Sequence, residues 1–177
     1  MAALPDLITV EQFRNMPDDG RKYELRHGEV VCVGYPKKRH YRTQKRLVRL
    51  FEVRLPRSWQ VGMEFAYRPV PEFEFRCADV AVVSEARWAA TDEEDNLHGA
   101  PELVIEVKSP SNTQRELTEL ASLCLANGSL EFWVVDPNRT SVTVIHRDGS
   151  TSVFLAGQAI PLTAFGADAL PVEEIFA

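Results

Sequence analysis

Short blocks of alternating apolar and polar residues follow one another along the chain, which is typical of strands. The blocks at 22–26 (KYELR) and 29–34 (EVVCVG) flank His27-Gly28 and predict a hairpin. Two residues, Asp148-Gly149, predict a tight turn between the last two strands. The remaining predicted strands are WQVGMEFAYR (59–68), EFEFRCADVAVV (72–83), PELVIEVK (101–108), LEFWVVD (130–136), SVTVIHR (141–147) and TSVFLA (151–156).

Other stretches follow the helical period. Thr9 with Gln12 forms a capping-box pattern that opens a short helix ending before Pro17. Helices are also predicted from about residue 40 to 55, over 113–126 with Gly128 beyond the end, and at the tail (VEEIFA, 172–177). The polar stretch 85–99 has no period and predicts a loop. The pattern as a whole predicts one α/β domain over residues 1–177.

The composition is typical of a globular protein. The chain has 177 residues, 45% of them hydrophobic, which suits one globular core. No apolar run approaches the roughly 20 residues that a membrane span needs, and the opening residues lack a signal-peptide pattern. The three cysteines and four histidines show neither a CxxC motif nor zinc-ligand spacing. We therefore expect a cytoplasmic protein with free thiols and no membrane partner.

One segment of the chain is strongly basic, although the chain as a whole is acidic. The formal net charge of −6 by itself argues mildly against a nucleic-acid partner. In the predicted helix, the cationic residues share the side opposite Leu47, Phe51 and Leu55. Phosphate-backbone contacts are one interpretation, and an ordinary solvated helix face is the other. The segment 37–49 contains no acid, and its cations are Lys37, Lys38, Arg39, Arg42, Lys45, Arg46 and Arg49.

Carboxylates interrupt two strands that are otherwise apolar. In the strand 101–108, alternation places Glu106 and Lys108 on one face, where burial of charge is costly unless it is compensated. Asp79 lies in another valine-rich strand, although aspartate is depleted from strands. Each has a structural interpretation: a Glu–Lys pair near a sheet edge, and an aspartate bonded to a neighbouring amide. Together they fit a site for Mg²⁺ (or Mn²⁺), which takes hard oxygen ligands and activates water for phosphodiester hydrolysis.

The segments around these residues resemble a known family. Asp79, Glu106 and Lys108 match the PD-(D/E)xK pattern of the restriction-endonuclease-like superfamily. YELRHGEVV (23–31), ADVAVV (78–83), PELVIEVKSPS (101–111) and EFWVVDP (131–137) resemble, in that order, the bacterial Uma-two family. This resemblance covers nearly the whole chain. It implies a restriction-endonuclease-like α/β core with a central mixed sheet flanked by helices.

The resemblance also implies roles for individual residues. Asp79 and Glu106 would hold the metal with the Val107 carbonyl, and Lys108 would act as base or stabiliser. Glu24 would be an auxiliary acid near the metal, although alternation alone places it on the solvated face of the hairpin. Three positions depart from the family: Ala78 stands where a proline usually precedes the aspartate, Leu120 where relatives often carry a lysine, and Cys124 where they often carry a tyrosine.

Three functions remain open at this point. The first is a metal-dependent endonuclease acting on DNA, with a homodimer as an option because nucleases of this fold often pair to cut both strands. The second is a nucleic-acid-binding or assembly module on the same fold that has lost turnover. The third is a phosphohydrolase for a small substrate, which the extended basic segment disfavours.

Overall fold

The computed structural model describes residues 7–110 and 112–177, and no described helix is long and apolar enough to cross a membrane. The first six residues and Ser111, which belongs to the SPS element, lie outside the described part of the chain. The helices are α1 (Val10–Arg14), α2 (Lys38–Arg54), α3 (Glu85–Ala90), α4 (Gln114–Ala126) and α5 (Val172–Phe176). The strands are β1 (Lys22–Arg26), β2 (Glu29–Val33), β3 (Trp59–Arg68), β4 (Arg76–Ser84), β5 (Leu97–His98), β6 (Leu103–Val107), β7 (Glu131–Asp136), β8 (Ser141–His146), β9 (Thr151–Leu155), β10 (Ala159–Leu162) and β11 (Ala167–Pro171).

Seven strands form a central mixed sheet in the order β5-β3-β4-β6-β7-β8-β9. The β6–β7 and β3–β5 pairs are parallel, and the other neighbours are antiparallel. One face packs against α2 and α5 through Leu47, Phe51 and Ile175. The other face packs against α4 through Ala121 and Cys124. The predicted mixed sheet flanked by helices is therefore confirmed.

Helix caps and tight turns form at the positions where the sequence has the residues that favour them. Thr9 and Gln12 form the predicted capping box of α1, and Thr113 with Glu116 forms another at the start of α4. Gly28 and Gly149 both have φ near +80° in tight turns, where a side chain would be strained. The buried side chains of Leu47 and Phe51 in α2, and of Leu55 at its C-cap, confirm the predicted inward face.

Two sequence predictions were wrong and one region was not assigned. The stretch 85–99, predicted as a loop, contains α3 and the two-residue β5, both too short to show a period. The strand predicted from residue 72 begins at Arg76, because the backbone of Phe73 and Phe75 bonds to the β1–β2 hairpin instead of β3. Strands β10 and β11 were missed, since prolines at their interior and end and a short 3₁₀ turn at Thr163–Phe165 obscure the alternation.

Candidate active site

The predicted carboxylates lie where two central strands part. Strands β4 and β6 pair from Val82↔Leu103 to Val80↔Ile105, and the next residues in this register are Asp79 and Glu106. At this point the amide of Val107 donates to Asp79 Oδ2 at 2.7 Å, so a side-chain oxygen accepts the bond. Asp79 is thereby fixed beside Glu106 at the gap between the strands.

Glu64 of β3 joins the same site, although its sequence position gave no warning. The pairs Met63↔Val80 and Phe65↔Ala78 keep one register, but Glu64 and Asp79 between them do not pair. Glu64 has φ +52°, a left-handed conformation that costs a non-glycine residue roughly 1–2 kcal/mol. A further strand carboxylate among apolar and aromatic neighbours was the signal available in the sequence.

Helix α2 directs two polar side chains at Asp79. Gln44 is fully buried, and its Nε2 donates to Asp79 Oδ1 at 2.8 Å and to Glu64 Oε1 at 2.5 Å. One turn earlier, His40 Nε2 lies 2.9 Å from Asp79 Oδ1. Neither residue was predicted for the site, although both lie on the apolar stripe of the helix with Leu47, where a polar residue needs an explanation.

The β1–β2 hairpin adds charged side chains from a third direction. Reciprocal backbone bonds of 2.9 Å between Leu25 and Phe75 dock the hairpin against the chain leading into β4. Glu24 is buried, accepting from Cys77 N at 3.2 Å and from Arg26 Nε at 2.9 Å. The interpretation that placed Glu24 on a solvated hairpin face is therefore wrong, because that face is covered by the start of β4.

Negative charge at this site is incompletely compensated. Burial, followed by the charges of Asp79 and Glu24, holds the pKa of Glu106 well above its usual range. A backbone hydrogen bond with Asp79 and the Arg26 guanidinium act in the opposite direction without cancelling the effect. A divalent cation between such carboxylates would relieve their repulsion.

Two observations bear on whether the residues suit such a cation. Among residues 7–110 and 112–177, no group of three or more His, Cys, Asp or Glu side chains forms a ready-made ligand set. Magnesium, however, needs only one or two protein carboxylates because it keeps several waters. The Oε1 of Gln44 is buried without a hydrogen-bond partner, so an acceptor is left over beside the carboxylates. The donors therefore suit a hard cation, with Asp79, Glu106 and the Val107 carbonyl as the residues that could hold it.

Lys108 lies apart from this group. Strand β6 ends at Val107, and the amide of Lys108 donates to Val135 O at 2.8 Å. Its Nζ lies 3.5 Å from Asp136 Oδ2, at the end of β7. The structure thus joins Asp79, Glu106 and Glu24, whereas the ammonium of Lys108 faces a different carboxylate. Its catalytic role stays a prediction.

The basic segment forms the exposed face of α2. At about 100° per residue, its cations lie on the side of the helix opposite His40 and Gln44, about 10 Å across the helix from the carboxylates. Arg39 is engaged by the turn after β7, and Arg46 Nη1 donates to Glu174 O at 3.3 Å. A shallow groove on this face is lined by Arg42, Lys45, Arg46, Arg49 and apolar atoms of Tyr41, Leu50 and Val53. Lys37 and Lys38, at the helix start, are exposed as well.

The fold is similar to that of a solved structure. A crystal structure of a putative nuclease belonging to DUF820 from Anabaena variabilis ATCC 29413 matches with a TM-score of 0.80 and 23% sequence identity. The match covers 96% of this chain and 97% of that chain. A search of curated proteins found no match. The model of the Uma2 family, described as putative restriction endonuclease, matches residues 10–173, and the chain belongs to this family.

Proposed function

We propose that this protein is a metal-dependent endonuclease that hydrolyses phosphodiester bonds in DNA, using Mg²⁺ or Mn²⁺. One observation carries the proposal: Asp79 and Glu106 meet where β4 and β6 part, and Glu106 is left facing other carboxylates. A purely structural carboxylate would be expected to have its charge compensated. Membership of a family described as putative restriction endonuclease supports the same class of reaction.

The reaction consumes one water for each bond cut. The water oxygen forms a new bond to phosphorus while one phosphorus–ester oxygen bond breaks. The water gives up a proton and the leaving oxygen gains one, so the products are a phosphomonoester and a hydroxyl. A divalent cation, when bound, neutralises the phosphate and lowers the pKa of the attacking water. Asp79 and Glu106 would hold that cation, while Gln44 and the Val107 amide keep Asp79 in place.

Glu24 serves this centre indirectly in the proposal. Its carboxylate lies between Arg26 Nε and the Cys77 amide, and its charge raises the pKa of Glu106. Glu24 therefore strengthens the demand for a cation, and it also orients Arg26 beside Glu106.

Substrate binding involves a second surface. Because the cations of α2 face away from the carboxylates, they would hold a part of the DNA distant from the cut, or a segment reaching the site of a second subunit. Phosphate contacts of this kind carry no sequence information and weaken steeply with salt. The arrangement is also compatible with the second function, a binding module without turnover. The basic surface and the carboxylates lie on different faces of one helix, so DNA binding does not depend on cleavage.

Cleavage of supercoiled plasmid with Mg²⁺ or Mn²⁺ is the first test. The wild type should nick or linearise the plasmid only with metal present, and Asp79→Ala and Glu106→Ala should lose this activity. A wild type that retains DNA in a salt-sensitive manner without cutting it would favour the binding module. If the protein neither cuts nor binds DNA, the substrate assignment is wrong.

The α2 surface has its own test. Arg42→Glu combined with Arg49→Glu should weaken DNA retention and flatten its salt dependence, because each lost phosphate contact reduces the slope by about one. Cation binding by the carboxylates should remain unchanged in this variant. Glu52→Gln, which removes an exposed charge of the opposite sign from the same helix, serves as a control. Retention that is unaffected by the double reversal would exclude this surface.

A further inference from the structure

A lysine other than Lys108 lies within the carboxylate cluster. Lys22, the first residue of β1, forms an ion pair through Nζ with Glu64 Oε2. Glu64 shares the Nε2 of Gln44 with Asp79, at 2.5 and 2.8 Å. Lys22 is therefore linked to the predicted metal ligand through two intervening side chains, and it shares a strand face with Glu24 and Arg26 by alternation.

The backbone of Glu64 is held in an unfavourable conformation to make this contact. A left-handed glutamate inside a ten-residue strand is unusual, and such residues persist only where surrounding contacts fix them. On either side of it, β3 keeps its register with β4. The conformation thus affects one residue, and that residue carries the carboxylate that meets both Lys22 and Gln44.

The two lysines are similarly exposed, at 26% for Lys22 and 34% for Lys108, and differ in the carboxylate that each one meets. The side chains of Lys22 and Glu64 are 26% and 29% exposed, so the pair lies at the rim of the site, open to solvent. The ammonium of Lys108 is directed to Asp136, which also accepts the amides of Asn138 and Arg139 and so belongs to the turn after β7. Lys108 is thereby a partner of a structural aspartate.

We propose that Lys22 supplies the catalytic ammonium of this site, and that Glu64 holds it there until substrate and cation are bound. The inference rests on the proposed nuclease function. A cation shared with Asp79 would weaken the hold of Glu64 on Lys22, and the released ammonium would contact the scissile phosphate. There it stabilises the negative charge that develops during hydrolysis.

A cross-link that merely fastens the hairpin to β3 would be the structural alternative, and rescue by an added ammonium, described below, separates the two. Cation affinity first tests whether the Lys22 ammonium lies close enough to the carboxylates to compete with a bound cation. Removing the ammonium by Lys22→Met leaves Glu64 without its counter-ion, so Mn²⁺ should bind roughly three to ten times more tightly in calorimetry, a modest factor because the pair is partly exposed. Lys22→Arg, which keeps the charge, should bind Mn²⁺ as the wild type does. Lys108→Met, the matched control, should also leave the affinity unchanged.

Plasmid cleavage by the same variants completes the test. Lys22→Met should cut on the order of 100-fold more slowly despite its tighter metal binding, as expected for the loss of one group that stabilises the transition state. Added ethylammonium should restore part of the activity of Lys22→Ala, an effect that a cross-link would not produce. Lys108→Met, at the lysine that the family resemblance favours, should lose less activity than Lys22→Met.

The outcomes distinguish this proposal from the proposed function. If the wild type cuts and Lys22→Met cuts equally well, or binds Mn²⁺ no more tightly, the assignment of Lys22 is wrong and the nuclease stands. If Lys108→Met alone loses activity, the ammonium belongs to Lys108. If the wild type neither cuts nor binds Mn²⁺, the nuclease proposal fails and the role of Lys22 fails with it.

Discussion

Two glutamates on neighbouring parallel strands, Glu106 in β6 and Glu131 in β7, meet opposite surroundings. Both interrupt apolar runs, and Glu131 is buried with 7% of its surface exposed. Glu131 Oε2 accepts the indole Nε1–H of Trp133 at 2.8 Å, and its Oε1 lies 3.3 Å from His146 Nδ1. Glu106 instead has the carboxylates of Asp79 and Glu24 as its main electrostatic neighbours.

The contrast shows that a carboxylate inside a strand does not by itself identify a site. Burial of a charge is costly, and partners that donate hydrogen bonds offset that cost. Glu131 has an indole donor on its own strand and the His146 ring beside it on the adjacent strand, so its role is complete within the fold. Glu106 has one backbone donor and the Arg26 guanidinium against burial and two like charges, and the pKa of Glu106 stays raised, an imbalance that a functional cation would correct.

The cleavage rate should show the largest difference between the two glutamates when each is replaced by glutamine. Glu106→Gln should lower the rate on the order of 1000-fold, because several kcal/mol of transition-state stabilisation depend on the cation it helps hold. Glu131→Gln, a change of the same size on the next strand, should cut as the wild type does at a temperature where it is folded. Equal losses in both variants would mean that Glu106 acts through stability alone.

Divalent cations should stabilise one of these two variants. At a concentration about 100 times its dissociation constant, a ligand that binds only the folded state adds about 2.7 kcal/mol. For a chain of this size, that corresponds to a rise of about 7 °C in Tm. Thermal unfolding with Mn²⁺ and then with EDTA should show this reversible rise for the wild type and Glu131→Gln, and none for Glu106→Gln. A rise that survives in Glu106→Gln would place the cation elsewhere.

The fold could be predicted from the sequence wherever one period held for several residues. The apolar runs of β6 and β7 and the amphipathic pattern of α2 were long enough to decide the element type. Strand β10, with Pro161 in its middle, and helix α3, with six residues, were not. Their formation depends on tertiary contacts, such as the hydrogen bonds of 2.9 Å from Arg87 to Ala100 O and Glu102 Oε2.

The candidate site could be predicted only in part, because its residues come together through chain geometry. Asp79 and Glu106 were detectable as charges in apolar strands, and the structure places them side by side. Glu64 is recruited by one left-handed backbone angle, which strand alternation cannot anticipate. Lys108 illustrates the reverse case: alternation placed it beside Glu106, but β6 ends one residue earlier. Side-chain direction past a strand end no longer follows the period.

Loss of charge at Glu131 should cost stability. Glutamine still offers an oxygen to the Trp133 indole, but the negative charge facing this donor and the His146 ring disappears, so Glu131→Gln should lower the free energy of unfolding by about 1.5 kcal/mol. Urea unfolding at pH 7 measures this loss. Glu119→Gln, which removes an exposed carboxylate on α4, should change stability by a few tenths of a kcal/mol, about what one exposed ion pair contributes. A Glu131→Gln variant as stable as the wild type would remove the distinction between the two glutamates.

Glu106→Gln should act on stability in the opposite direction, and only above acidic pH. The folded protein raises the pKa of Glu106 well above its ordinary value of 4.5, so the folded state retains a proton that the unfolded state releases. Wild-type stability therefore falls as pH rises from about 4.5 through the raised pKa. Glutamine has no proton to lose. In EDTA, the variant should thus gain about 1 kcal/mol over the wild type between pH 5 and pH 8, a typical size for a single substitution. Urea unfolding of both proteins at these two values measures the gain, and titrating groups distant from Glu106 cancel in the difference. A difference that is the same at both pH values would show that the charge of Glu106 is already compensated within the fold, as that of Glu131 is.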